Sequence, residues 1–218
     1  MLAQCQPFCI VDIVSQQDLN GSPTVTKPRE EPLTKQAQAL WTEHLEAGDW
    51  AIDATVGNGR DTVVLADLVK REGRVFGFDI QQQALETARQ ALALKGLGEG
   101  VELILAGHER MVEFLPAVAA GRIALVAFNF GYLPGGDKGI VTRRETTVAA
   151  LNAALGLLRP GGLISAMCYR GHEEGALETA AIESWANEIA EREGTSVAWR
   201  DAPANRVAAP RLLTVRVG

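Results

Sequence analysis

From Trp50 onward, short apolar runs alternate with longer stretches in which apolar residues recur every three or four positions. That alternation predicts strands and amphipathic helices in turn, the signature of a parallel sheet wrapped by helices. Strands are expected at 50–55, 74–79, 101–105, 123–130 and 163–168, with helices at 60–70, 81–94, 110–117, 146–158 and 176–192. Two last apolar segments, 195–200 and 212–217, have no helical pattern between them and suit an antiparallel pair at one sheet edge. Before Trp50, Thr34 offers a cap for a helix running to Ala47, with Ala37, Leu40, Trp41, His44 and Leu45 at helical spacing and Gly48 as its stop. Residues 1–32, punctuated by Pro23, Pro28 and Pro32, read as an irregular N-terminal extension, leaving 33–218 as one domain.

Polar clusters fall at the ends of the predicted strands: Asp53 to Asp61, Asp79, Gly107 with His108, Asn129 to Lys138, and Tyr169 to His172. In open parallel sheets, ligands bind at the carboxyl ends of the strands, near the point where strand order reverses. One rim of the sheet therefore holds the candidate chemistry.

Composition narrows the choice. Of 218 residues, 47% are hydrophobic and 22% charged, as in ordinary globular proteins, and no repeat or low-complexity tract appears. Apolar runs stop short of the ~20 residues of a membrane-spanning helix, and the N-terminus lacks a basic region before its apolar patch, so the expectation is a cytoplasmic protein. Cys5, Cys9 and Cys168 are too sparse for a disulfide framework. His44, His108 and His172 are scattered, which leaves no zinc spacing, and a G-x-S-x-G nucleophile elbow is missing. The net charge of −6 argues against avid nonspecific nucleic-acid binding while allowing a local basic patch.

The turn Asp53-Ala54-Thr55-Val56-Gly57-Asn58-Gly59-Arg60-Asp61-Thr62 lets backbone N–H groups approach a ligand, and Asp79 closes the next strand. A carboxylate there can grip a ribose diol, or it can cap the helix that follows. A dinucleotide fingerprint wants Gly or Ala where Thr62 stands, and the Gly-Lys-Ser/Thr ending of a P-loop is missing. A cofactor with ribose and adenine but no phosphates fits better, and S-adenosylmethionine is such a molecule. Asp53 would face its ammonium group while Gly57 and Gly59 leave room for the methionine portion. His108 has two readings, an adenine contact or a capping or satisfied surface histidine. Asp61 and Thr62 also suit a helix N-terminus whatever the ligand.

From about Leu33 to Val217 the chain resembles class I S-adenosylmethionine-dependent methyltransferases, including the turn Leu158-Arg159-Pro160-Gly161-Gly162-Leu163. More specifically, Asn129-Phe130-Gly131-Tyr132-Leu133-Pro134-Gly135-Gly136-Asp137-Lys138, Phe78-Asp79-Ile80-Gln81 and Tyr169-Arg170-Gly171-His172 are similar to the family labelled rRNA methylase. Studied members methylate the aminomethyl group of 5-aminomethyl-2-thiouridine at the tRNA wobble position. The resemblance implies a Rossmann-like α/β fold with a seven-stranded, mostly parallel sheet and helices on both faces. It implies a cofactor site at Asp53, Thr55, Gly57, Asn58, Gly59, Asp61, Thr62, Asp79, Ile80, Gln81, His108 and Asn129. It further implies a substrate site at Tyr132, Gly135, Asp137, Lys138, Arg143, Tyr169, His172 and Asn205, and a tRNA anticodon stem-loop as partner, with a homodimer as a further expectation. Departures lie at residues 1–32, which have no counterpart, and at Glu173, where a proline is expected.

Methyl transfer to nitrogen needs positioning more than exotic reactive groups. Asn129 can accept an N–H of the nucleophile, and Tyr132 offers a ring for a base to stack on. An alkylamine must be neutral to attack, and Lys138 or His172 could favour that form, with Asp137 as either an ammonium contact or a loop stabiliser. Lys138, Arg143, Arg144, Arg170, Arg206 and Arg211 would meet RNA phosphates, or are solvated charges. Rivals are methylation of rRNA or a small amine, a non-catalytic RNA-binding module of the same fold, and an NAD-linked enzyme.

Overall fold

A computed structural model describes residues 31–131, 143–171, 173–202 and 209–218. Glu31–Gly218 forms one compact unit. Its elements follow the expected order: α1 (Leu33–His44), β1 (Trp50–Asp53), α2 (Arg60–Val69), β2 (Arg74–Asp79), α3 (Gln82–Lys95), β3 (Val101–Leu105), α4 (Met111–Phe114), β4 (Ile123–Asn129), α5 (Arg144–Leu157), β5 (Leu158–Cys168), α6 (Glu173–Ala190), β6 (Thr195–Asp201) and β7 (Arg211–Val217).

The seven strands form one sheet in the order β3-β2-β1-β4-β5-β7-β6. β1 pairs in parallel with both β2 and β4, so the strand order reverses between β1 and β4. β7 runs antiparallel to β5 on one side and to β6 on the other, which realises the antiparallel pair at the edge. Both faces are covered, so the central strands are apolar throughout. On one face Ile52, Phe76, Phe78, Val126, Phe128 and Ile164 pack with Leu151 and Ala154 of α5 and Ile182 and Trp185 of α6. On the other, Ala51, Val75, Leu125, Leu163 and Leu212 meet Leu33, Ala37 and Trp41 of α1 and Leu65, Ala66 and Val69 of α2. Ala51 and Ile52 thus divide between the two cores as neighbours on a pleated strand must.

Several boundaries differ from the sequence expectation. Thr34 does not cap α1: Pro32 holds that place, and its carbonyl accepts from the N–H groups of Lys35 and Gln36. The helix ends at His44 because Leu45 is already extended, short of Gly48. The helix expected at 110–117 is broken into a 3-10 turn at His108–Arg110, the single turn of α4, and a second 3-10 turn at Ala117–Ala119. Pro116 explains the break, since it disfavours helical backbone at Leu115, which is extended. β5 starts at Leu158 rather than 163, because Leu158 pairs with Ile123 before the register shifts and resumes at Leu163 opposite Leu125.

Gly59 joins β1's turn to α2 in left-handed backbone, with φ 72°. A Cβ there would lie 2.7 Å from both Cα and Cβ of Ala88 on α3. Two constraints meet at this residue, a conformation that favours glycine and contact with a neighbouring helix's backbone. Gly59→Ala should therefore destabilise the domain by at least about 2 kcal/mol in a urea titration. A stability within experimental error of wild type would show that the helix can retreat freely.

Candidate functional site

The site begins where β1 stops. Ala54 donates to the Ala127 carbonyl on β4 and Val56 to the Phe78 carbonyl on β2, so the chain leaves the sheet gripped from both sides. The turn closes with the Gly59 N–H on the Val56 carbonyl, and α2 starts with no side chain capping its N-terminus. Gly77 on β2 lets the turn sit close, since a Cβ there would come within 2.7 Å of Val56 Cγ2.

Asp53 is buried at the base of this turn. Its Oδ2 accepts from Thr62 Oγ1 at 2.6 Å and its Oδ1 from the Thr55 N–H at 3.1 Å. Burial pushes its carboxyl up to about 7, and the nearby Asp61 and Asp79 carboxylates push the same way, against the two hydrogen bonds. Asp79, at the end of β2, accepts from the Gly57 N–H and from the Gln81 N–H, each at 2.8 Å. It therefore ties the turn of β1 to the start of the next crossover. The capping alternative for Asp79 does not hold: Gln81 occupies the N-cap of α3 and no side chain caps it.

Asn129 ends β4 beside the turn. Its backbone N–H donates to Thr55 Oγ1 at 2.7 Å, and its Nδ2 donates to Asp61 Oδ2 at 3.2 Å. Asp61 Oδ1 in turn accepts from Gln38 Nε2 of α1 at 2.9 Å. Tyr169, after β5, is drawn into the same neighbourhood, its hydroxyl held above the usual range by burial and by the Asp61 charge. A Cβ on Gly131 would lie 3.7 Å from the Tyr169 ring.

The structure thus brings Asp53, Thr55, Asp61, Thr62 and Asn129 together by direct hydrogen bonds, and Gly57, Asp79 and Gln81 by a second set. Ile80, on the same rim, leaves an apolar side chain exposed. His108 is buried, against the reading of a surface histidine: its ring meets Phe128 and Phe130 edge-on, with centroids 6.0 Å apart in each pair. Desolvation lowers its pKa, opposed by Glu109, the Ala54 backbone and Asp79. Arg143 stands at the N-cap of α5, exposed, with its carbonyl accepting from Thr147. Arg211 is not a free phosphate contact, because it pairs with Asp201 and Glu183 and stacks on Trp199. Tyr132, Gly135, Asp137, Lys138, His172 and Asn205 lie outside the described residues. Sequence reasoning missed Gln38, a polar residue beside the buried stripe of an amphipathic helix, where nothing local marks a functional side chain.

Beside the burial that raises Asp53, the charges of Asp61 and Asp79 act on it, so the chemistry of the rim is that of clustered carboxylates. Such a pocket repels phosphate and attracts a cationic ligand that also offers hydroxyls.

A model of the family described as Putative rRNA methylase matches residues 75–216. The tRNA (mnm(5)s(2)U34)-methyltransferase, chloroplastic, of Arabidopsis thaliana is 41% identical over 161 residues, 70% of this chain; the chain spans 58% of that relative's length. A structure titled as a putative rRNA-methylase from Clostridium thermocellum superposes with TM-score 0.81 and 34% identity over 86% of this chain and 98% of that one. A putative methyltransferase from Streptococcus mutans, solved in complex with SAH, gives 0.75 and 30% over 87% and 99%.

Asp53 generates a pH prediction. Its folded pKa of about 7 lies above the ordinary 3.8, so its neutral form favours folding below the ordinary value, and that contribution is lost as pH rises through about 7. Asp53→Asn keeps the shape without the ionisation. Between about pH 5 and about pH 8 the variant should gain up to about 3 kcal/mol on the wild type in urea unfolding. A difference that stays constant across that range would clear the buried carboxyl of the effect.

Proposed function

The chain belongs to the Putative rRNA methylase family, and from that membership we propose an S-adenosylmethionine-dependent N-methyltransferase acting on RNA, with the aminomethyl group of a tRNA wobble uridine as its target. The carrying observation is the carboxylate rim at the reversal of strand order, with Asn129 at the end of the adjacent strand.

The residues present fit the cofactor. When bound, S-adenosylmethionine supplies an electrophilic methyl carbon on a positively charged sulfonium. Asp53, Asp61 and Asp79 provide the negative field such a cation needs, and Asp53 would face the ammonium group directly or through water. Asp79 retains lone pairs for a ribose diol while its two backbone hydrogen bonds hold it in place. Thr55, Asn58 and the glycines of the turn shape the methionine end, and exposed Ile80 gives the adenine an apolar surface.

Asn129 donates through Nδ2 to Asp61, which leaves Oδ1 to accept an N–H from an incoming amine. That orients the nitrogen lone pair without protonating it. Tyr169 closes the side toward β5, and Tyr132 is assigned the role of stacking platform for the target base. Lys138 or His172 would keep the amine neutral. Arg143, exposed at the start of α5, suits contact with an anticodon stem phosphate. The name of the Arabidopsis thaliana relative favours the wobble uridine, and the description of the family makes rRNA the runner-up. A cytoplasmic setting belongs to the same proposal; among the described residues no helix is long and apolar enough to cross a membrane.

Purified protein given labelled S-adenosylmethionine should transfer methyl to tRNA bearing the aminomethyl group and not to tRNA lacking it. Equal transfer to both, or transfer to rRNA alone, would overturn the wobble assignment. Asn129→Ala should lower kcat by about 100-fold with cofactor affinity nearly intact. In calorimetry, cofactor binding near about pH 6 should release protons as Asp53 ionises opposite the ammonium, and Asp53→Asn should abolish that release.

A further inference from the structure

We propose that Gln38 is a positioning residue of the methyl-transfer site, acting through Asp61 to hold the Asn129 amide with its oxygen toward the nucleophile. The inference rests on the N-methyltransferase reading above and extends it to a helix that precedes the cofactor-binding turn.

The orientation of an asparagine amide is decided by its partners, since oxygen accepts and nitrogen donates. The carboxylate of Asp61 is an acceptor and so selects Nδ2 of Asn129, at 3.2 Å. The amide oxygen is then directed elsewhere. This selection works only while the carboxylate itself keeps one orientation, and Asp61 is half-buried on the first turn of α2, where no other side chain caps the helix to hold it. Gln38 holds it by donating to the second carboxylate oxygen at 2.9 Å. Both oxygens are then engaged, one by the group that positions and the other by the group that is positioned.

α1 can serve as the anchor because its other flank is buried. Leu33, Ala37 and Trp41 pack against Leu163, Met167 and Leu212 of the sheet, so Gln38 projects from a helix that is itself fixed. A second feature ties the same helix to the same place. A cavity of about 10 Å³ lies among Thr34, Trp41, Asp61, Asn129 and Ser165. Trp41 and Ser165 both line it, and their Nε1 and Oγ are buried with no hydrogen-bond partner among the described residues. The space is about that of one water, and its lining joins residues of α1, α2, β4 and β5. The floor of the site is thus built from α1 as much as from the strands.

The role separates from simple packing by its kinetics. Gln38→Leu keeps the bulk and removes the donor, and Gln38→Glu places an acceptor against Asp61. Both should lower kcat on aminomethylated tRNA by about 10-fold to 100-fold, while KM for tRNA and the cofactor dissociation constant stay within about twofold of wild type. The Asn129 side-chain NH₂ pair in a ¹⁵N–¹H spectrum, assigned by its loss in Asn129→Ala, should shift in both variants. An unmoved NH₂ pair with unchanged kcat would overturn the proposal. So would a fall in kcat matched by an equal loss of cofactor affinity, which marks a structural defect. Should Gln38→Leu fail to fold, Gln38→Glu and Asp61→Asn interrogate the same relay in the spectrum. If the wild type transfers no methyl to that tRNA, the substrate assignment falls, and the NH₂ shift alone still decides whether Gln38 orients Asn129.

Discussion

A carboxylate held in the protein interior at the end of β1 is the constraint on which the rest of the site depends. Asp53 lies at the centre of the sheet, where water does not screen it, and its neighbours answer that burial. Thr62 reaches back from α2 to donate to it, and the Thr55 N–H does the same from the turn. Those two bonds set where α2 begins and where Thr55 points. Thr55 then fixes the backbone of Asn129 across the reversal point. The position of the polar end of β4 thus follows from the accommodation of one acid on β1.

The remaining two acids divide the work. Asp79 is latched by backbone N–H groups of Gly57 and Gln81, which fastens the turn of β1 to the crossover after β2. Asp61 stands between two amides, Gln38 and Asn129. Burial raises the pKa of Asp53, and the Asp61 and Asp79 charges push it the same way. A pocket so built is electrostatically incomplete without a cation, and a sulfonium ligand that also bears an ammonium group meets that need while a pyrophosphate does not. Affinity and specificity for the cofactor then have the same origin.

Much of this architecture was legible in the chain. The strands at 74–79 and 101–105 match the residues expected, because the first runs from Gly73 and Arg74 to Asp79 and the second lies between Gly100 and Gly107. The glycine turn followed by Asp61 and Thr62, the acid closing β2, and Asn129 at the end of β4 announce themselves by residue type and place. Less legible were the ends of elements that tertiary contacts extend or interrupt. Leu158 joins β5 only because Ile123 lies opposite to pair with it, and Arg211, which looks like an available cation, is consumed by acids from α6 and β6. His108 reads as polar rim in sequence yet is packed against two phenylalanines.

Periodicity, turn chemistry and the spacing of acids act over a few residues, so they could be read directly: an α/β sheet, polar clusters at one end of its strands, and a cofactor without phosphates. The chain could not disclose which distant side chains meet. Gln38 and Asp61 are 23 positions apart, and Asp61 and Asn129 are 68. Their contact exists because β4 pairs beside β1 and α1 packs on β5 and β7 next to α2, an arrangement set by sheet order and by packing on both faces. Orientation of the Asn129 amide is a property of that assembly, since hydrogen-bond direction depends on partners that only the folded chain brings within 3 Å or so of each other.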